Sequence, residues 1–167
     1  MIDLRPHLVH TPRPGPRPLT RASLPHVQLN QWPPADVHSA LLDQCTNLPH
    51  IAVQQSRMGL PDTLALRVVD KFAHGAPEAF IDDHEFCHLH ALPEGSIHLA
   101  LPDPARQEAV SLGWVEPHPA AGLTILPATL VLLYAPRDAQ EVQVALGFIK
   151  ISLAFAEGRV ADLQNLL

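Results

Sequence analysis

Eleven of the 167 residues are histidine, six of them between His74 and His118 and none after that. Histidine titrates near neutrality and is the commonest metal ligand, so this clustering marks where chemistry would be done. His88 and His90 are two residues apart and, on a strand, project from one face. The turn signal Pro93-Glu94-Gly95 follows, and Ser96-Ile-His-Leu-Ala-Leu101 reads as the returning strand of a hairpin. A register pairing His88 with His98 and His90 with Ser96 brings three imidazoles to that face, with cross-strand Cβ atoms about 4.5–5.5 Å apart. A slip of one residue would point His98 away. Three imidazoles meeting at a point have two uses. They can hold a divalent metal, for which Glu94 and Asp83 are candidate supporting carboxylates. Without metal, one neutral imidazole can act as a base while its neighbours donate hydrogen bonds to an oxyanion.

Other residues fall near this group. His118 lies in Gly113-Trp-Val-Glu-Pro-His-Pro119, where the prolines stiffen the loop and aim the side chain. Trp114 can form an aromatic wall for a flat ligand or pack in the core. Tyr134-Ala-Pro-Arg137 ends an apolar strand, and Arg137 there can clamp an anionic oxygen or pair with Asp138 or Glu141. Candidate catalytic residues are therefore His88, His90, His98, His118 and Arg137. Trp114, Tyr134 and Ser96 are candidate substrate contacts, and His88, His90 and His98 candidate metal ligands. Asp82, Asp83 and Glu85 either orient a histidine or form a solvated acidic turn. Signatures for dinucleotides, nucleotides, zinc peptidases and serine hydrolases are missing from the sequence.

The elements that must position these residues follow from pattern. Residues 1–34 carry eight prolines, which fix φ and remove donors, so this Arg-bearing stretch is expected to be an extended arm lying across residues 35–167. Val37, Ala40, Leu41 and Cys45 have helical spacing, with Asp36 as a cap. Residues 51–56 and 63–69 read as strands around a Gly59-Leu-Pro-Asp62 turn. Residues 84–91 and 96–101 form the histidine hairpin. Asp103-Pro104 opens a helix that Gly113 stops. Thr129–Tyr134 reads as a central strand. Asp138 and Glu141 have capping-box spacing and open a long helix to about Glu157, with Gly158 beyond it. That helix is apolar on two stripes, which suits burial on both flanks, a dimer interface or a ligand groove. The resulting fold class is α+β, a mostly antiparallel sheet with helices packed on one face.

Bulk properties bound the rest. Apolar residues make up 47% and the formal net charge is -6, so the chain can build a core and is not equipped to bind nucleic acid through counterion release. Uninterrupted apolar runs of membrane-spanning length are missing, and the N-terminal residues lack a signal core, so a cytoplasmic protein with no membrane partner is expected. The two cysteines, Cys45 and Cys87, lack metal or redox spacing and read as buried thiols. The expected partner is a small-molecule substrate, with a homodimer through the last helix as a further use of that surface.

At the histidine residues the sequence resembles the fungal luciferase family and its bacterial luciferase-domain relatives. Glu85-Phe-Cys-His-Leu-His90 is similar to that family's His-x-His element, and Ser96-Ile-His-Leu-Ala-Leu101 to its His-Leu strand. Gly113-Trp114 with His118-Pro119 resembles its Gly-Trp…His-Pro loop, and Tyr134-Ala-Pro-Arg137 with the acidic-capped helix its last strand and helix. The likeness runs from about Glu85 to Ala156. It implies an oxygenase that adds O2 to a small enolisable compound, as fungal luciferase does to the enol α-pyrone 3-hydroxyhispidin, with no organic cofactor. By the same resemblance a histidine would take the enol proton, and other histidines and Arg137 would hold the anion.

Overall fold

The fold follows from where the apolar alternation can be buried. A computed structural model describes residues 10–103, 105–123 and 125–159. Six strands form one sheet: β1 (Ile51–Gln55), β2 (Leu64–Val68), β3 (Glu85–Leu89), β4 (Ile97–Ala100), β5 (Val115–Pro117) and β6 (Leu130–Leu133). Their order is β1-β2-β3-β4-β6-β5, and every pairing is antiparallel. Among the described residues three α-helices accompany them: α1 (Ala35–Thr46), α2 (Ala105–Ser111) and α3 (Ala139–Ala156). The protein is thus an α+β fold.

One sheet face is apolar throughout. Cys87 and Leu89 of β3, Ile97 and Leu99 of β4, and Val131 and Leu133 of β6 are buried in one cluster with Val142, Ala145, Ile149 and Leu153 of α3. Residues of opposite parity in those strands, His88, His98 and Leu130 among them, turn to the other face, where they line a cavity. Alternation therefore separates a core face from a chemical face.

α3 covers β3 and β4, and α1 packs against α3. By length and composition α3 is long and apolar enough to cross a membrane, yet most of it is buried inside the fold, as a core helix would be. Ser152, on its buried side, donates to the carbonyls of Ala100 (2.7 Å) and Phe86 (3.2 Å). The expected cap holds: Asp138 accepts from the backbone N–H of Glu141 at 2.8 Å. Glu141 reaches one residue further back than a capping box requires, accepting from the N–H of Arg137 at 3.0 Å.

Two expectations need correction. Asp36 does not cap α1: the helix starts at Ala35 after Pro34, whose carbonyl accepts from His38 N–H at 3.0 Å. The Pro33-Pro34 pair holds the preceding backbone extended, and the helix begins as soon as it ends, which leaves Asp36 in the first turn. The 113–119 stretch is not all loop, since Val115–Pro117 pairs with β6 as an edge strand. At the start of α2, Pro104 lies outside the described residues, and Gly113 adopts φ +78° just after the helix.

The chain from residue 10 to 34 runs over the body. Arg13 N–H donates to the Leu112 carbonyl at 2.9 Å, and Trp114 Nε1 donates to the Thr11 carbonyl at 2.7 Å. Gln28 accepts from Ala135 N–H at 2.9 Å and gives its own N–H to Glu94 at 2.7 Å.

Candidate functional site

The β3–β4 register pairs His88 with His98, and His90 N–H donates to the Ser96 carbonyl at 2.9 Å. That register places the His88, His90 and His98 rings on one face, with centroids 4.8–5.4 Å apart. His118 follows β5 and sits edge-on to His98 at 5.0 Å. His26, from the Pro-rich arm, stacks on His98 at 5.5 Å and meets His118 edge-on at 5.0 Å. All five histidines are buried and line one cavity of about 410 Å³. Its remaining walls are apolar, with Leu24, Met58, Leu60, Ile81, Leu126 and Leu130 among them.

Carboxylates behind the rings set the tautomers. Glu94 Oε2 lies 2.6 Å from His90 Nδ1, and Glu85 Oε1 lies 2.6 Å from His88 Nδ1. Glu116 Oε1 lies 2.7 Å from His26 Nε2, while its other oxygen accepts from Tyr134 OH at 2.8 Å. Burial pushes Glu94 and Glu116 up, but hydrogen bonds from His90 and Ser96, and from His26, Thr20 and Tyr134, outweigh it and hold both below the usual carboxylate range. An ionised carboxylate only accepts, so the facing ring nitrogen carries the proton and the far nitrogen is a lone pair. His90 Nε2, His88 Nε2 and His26 Nδ1 are then acceptors. His98 Nδ1 lies 3.0 Å from His88 Nε2 and donates to it, which makes His98 Nε2 a further lone pair. The His98 Nε2 and His26 Nδ1 atoms are buried without any partner. His118 is the opposite case: Ala120 N–H donates to its Nδ1 at 3.1 Å, so its proton sits on Nε2. The cluster is a bowl of lone pairs with one donor. Two overlapping groups, His88-His90-His98 and His26-His98-His118, could each hold a metal ion.

Burial disfavours the charged form of three of the rings. It pushes His88 and His98 below the ordinary histidine value, and burial together with the charges of His26, His88 and His90 takes His118 down to about 4. The stability consequence has a definite sign. Between about pH 6.5 and 4 the unfolded chain binds a proton at His118 that the folded chain does not, so stability falls as pH drops through that window. The melting temperature of chelator-treated protein should decline from pH 7 to 4.5, and less steeply in His118→Gln. Equal slopes would show that His118 titrates normally.

The sequence candidates fall into two places. His88, His90, His98 and His118 meet in the cavity, and Ser96 Oγ lies 3.3 Å from His90 Nδ1. Arg137 and Trp114 line a separate cavity of about 460 Å³, with His10, Thr11 and Pro14 also in its walls. Arg137 pairs with Glu141 through Nε at 3.0 Å and through the terminal nitrogen, the ion-pair alternative read from the sequence. Tyr134 touches the site only through Glu116. Of the acidic residues before the hairpin, Asp82 and Asp83 pair with Arg57 and Arg67, and only Glu85 reaches a site histidine.

Glu85 gets there through a β-bulge. Leu66 pairs with Cys87 and Arg67 with Glu85, so Phe86 is the extra residue. The bulge turns Glu85 onto the His88 face, where it also accepts from Ser56 Oγ at 2.9 Å. His26 and Glu116 were missed by sequence reasoning. The one signal for His26 was its type, a histidine amid prolines; Glu116 had only its nearness to His118.

Residues 83–152 match the Luciferase domain family. Luciferases of Armillaria mellea and Armillaria gallica are each 29% identical over 86% of this chain and 60% of their own length. The luciferase of Neonothopanus nambi is 32% identical over 42% of this chain and 27% of its own. The chain therefore spans about 60% of the length of the Armillaria relatives it matches, and no solved structure matches it. The segment that is similar to the Luciferase domain carries four of the five clustered histidines, and the chain as a whole is distantly similar to fungal luciferases.

Proposed function

We propose that the protein is an oxygenase acting on a small enolisable compound, pyrone-like or phenolic, bound over the histidine cluster. The observation that carries this is the 410 Å³ cavity, whose floor is imidazole and whose walls are apolar. Its volume suits a small flat ligand, and apolar walls with a few convergent polar groups are the usual form of such sites. The lone pairs at His26 Nδ1, His90 Nε2 and His98 Nε2 offer acceptors for an enol or phenol proton. The N–H at His118 Nε2 offers a donor to the oxygen that gains charge. Arg137 takes no part in this reading, because Glu141 occupies it on another surface. The reaction calls for no organic cofactor, and the cluster serves either bare or with a divalent cation. The partner is a small molecule rather than nucleic acid.

The test is an oxygen electrode with a panel of hydroxypyrones and catechols. Uptake with one of them, lost on heating the protein, is the expected result. Compounds that raise the melting temperature yet consume no oxygen would instead make this a binding module without turnover.

A further inference from the structure

We propose that one divalent first-row transition-metal ion is held by His88, His90 and His98, with its remaining coordination position open to the cavity. This goes beyond the oxygenase reading and does not depend on it. Three observations carry it: distance, tautomer and support. The ligand nitrogens of these three residues all lie within 4.8 Å of one another. His88 Nε2 and His98 Nδ1 are 3.0 Å apart. Two ligands about 2.0–2.1 Å from a tetrahedral ion are separated by roughly 3.3 Å, so this pair needs only a slight opening to admit one.

Tautomer separates this group from its overlapping neighbour. A neutral imidazole ligand must present a lone pair. His88 and His90 already do so, because Glu85 and Glu94 take their Nδ1 protons at 2.6 Å. His98 Nδ1 spends its proton on His88; on ion binding that proton moves to His98 Nε2, the buried nitrogen with no partner, and no net proton is released. In the group His26-His98-His118, the Ala120 N–H on His118 Nδ1 leaves a proton on the nitrogen that would have to ligate. That group is one lone pair short.

A carboxylate behind His88 and another behind His90 form the arrangement that orients metal-binding histidine and raises its basicity. It is built twice here, from separate elements. Ser56 Oγ donates to Glu85 at 2.9 Å, and the N–H groups of Gln28 and Ser96 donate to Glu94 at 2.7 and 3.2 Å. Glu85 and Glu94 are therefore positioning residues. Three imidazoles and an open position suit a catalytic zinc, iron or cobalt site, and a bound ion supplies Lewis-acid chemistry to oxygen atoms in the cavity.

The experiment is titration of chelator-treated full-length protein with cobalt(II) under nitrogen, read by calorimetry and by the visible bands of low-coordinate cobalt. One ion per chain is expected in the wild type, and none in His90→Ala. Glu94→Gln, which keeps the side chain's shape, is expected to retain one ion with affinity weakened about 10–100-fold. His118→Ala is expected to keep the cobalt spectrum. Absence of bound cobalt in the folded wild type overturns the proposal, as does a site lost with His118→Ala but kept in His90→Ala. Because no oxygen or substrate is present, neither result bears on the oxygenase reading, which oxygen uptake by chelated and reloaded protein tests separately.

Discussion

His98→Ala is expected to lower oxygen consumption by about 100-fold or more, the usual size of losing a positioned acid–base or ligand group, while barely changing stability. His98 is the residue every other ring touches. It lies 5.0 Å from His88, 4.8 Å from His90, 5.0 Å from His118 and 5.5 Å from His26, measured between ring centroids. It belongs to both candidate metal groups. Removing it separates the His88-His90 pair from the His26-His118 pair. The stability argument runs the other way. Truncating a buried ring normally leaves a costly cavity. Here the ring carries a buried nitrogen without a partner, a state that itself costs about 1–3 kcal/mol, so its removal offsets much of the loss, and the His88 Nε2 that loses its donor faces the cavity. Urea unfolding should show a midpoint close to wild type. His84→Ala is the control, a histidine on the same segment that pairs with Asp70 outside the cavity. Loss of activity in His84→Ala, or full activity in His98→Ala, would remove the cluster from the chemistry.

What was legible in the sequence is what depends on neighbours along the chain. The hairpin register could be inferred because a short turn joins strands whose alternation must match. The α3 cap was legible because Asp138 and Glu141 are three residues apart. What was hidden depends on breaks in periodicity or on long-range contact. Strict alternation places Glu85 on the face opposite His88; the bulge at Phe86 reverses that, and nothing local in Glu85-Phe-Cys-His announces it. His26 is separated from His98 by three strands in sequence, and a Pro-rich stretch carries no period from which its docking could be inferred. β5 spans only Val115–Pro117, too short for alternation to show. Arg137 was ambiguous for a plainer reason: a cation four residues before a carboxylate on a helix start can pair locally or reach elsewhere, and here Glu141 holds it.

Phe86→Ala should be the most destabilising single change near the site, costing about 3–5 kcal/mol, a large part of the 5–15 kcal/mol that holds a domain together. The Phe86 side chain is wholly buried in the cluster beneath α3, and its carbonyl accepts from Ser152 of that helix at 3.2 Å. It is also the extra residue of the bulge, so its ring anchors the one irregularity that brings Glu85 to His88. With alanine there, the cavity costs stability, and the bulge loses the group that pins it in place. The substitution is therefore expected to loosen the Glu85–His88 contact although it touches neither residue. Phe86→Leu separates the two effects. It restores most of the buried volume at a cost under about 1.5 kcal/mol, and it still anchors the bulge. Urea unfolding measures the first effect, and the His88 Nδ1 proton signal in NMR, shifted downfield by a short bond to carboxylate, measures the second. If Phe86→Ala loses stability but keeps that signal unchanged, the bulge is pinned by strand pairing alone, and the side chain serves only the core.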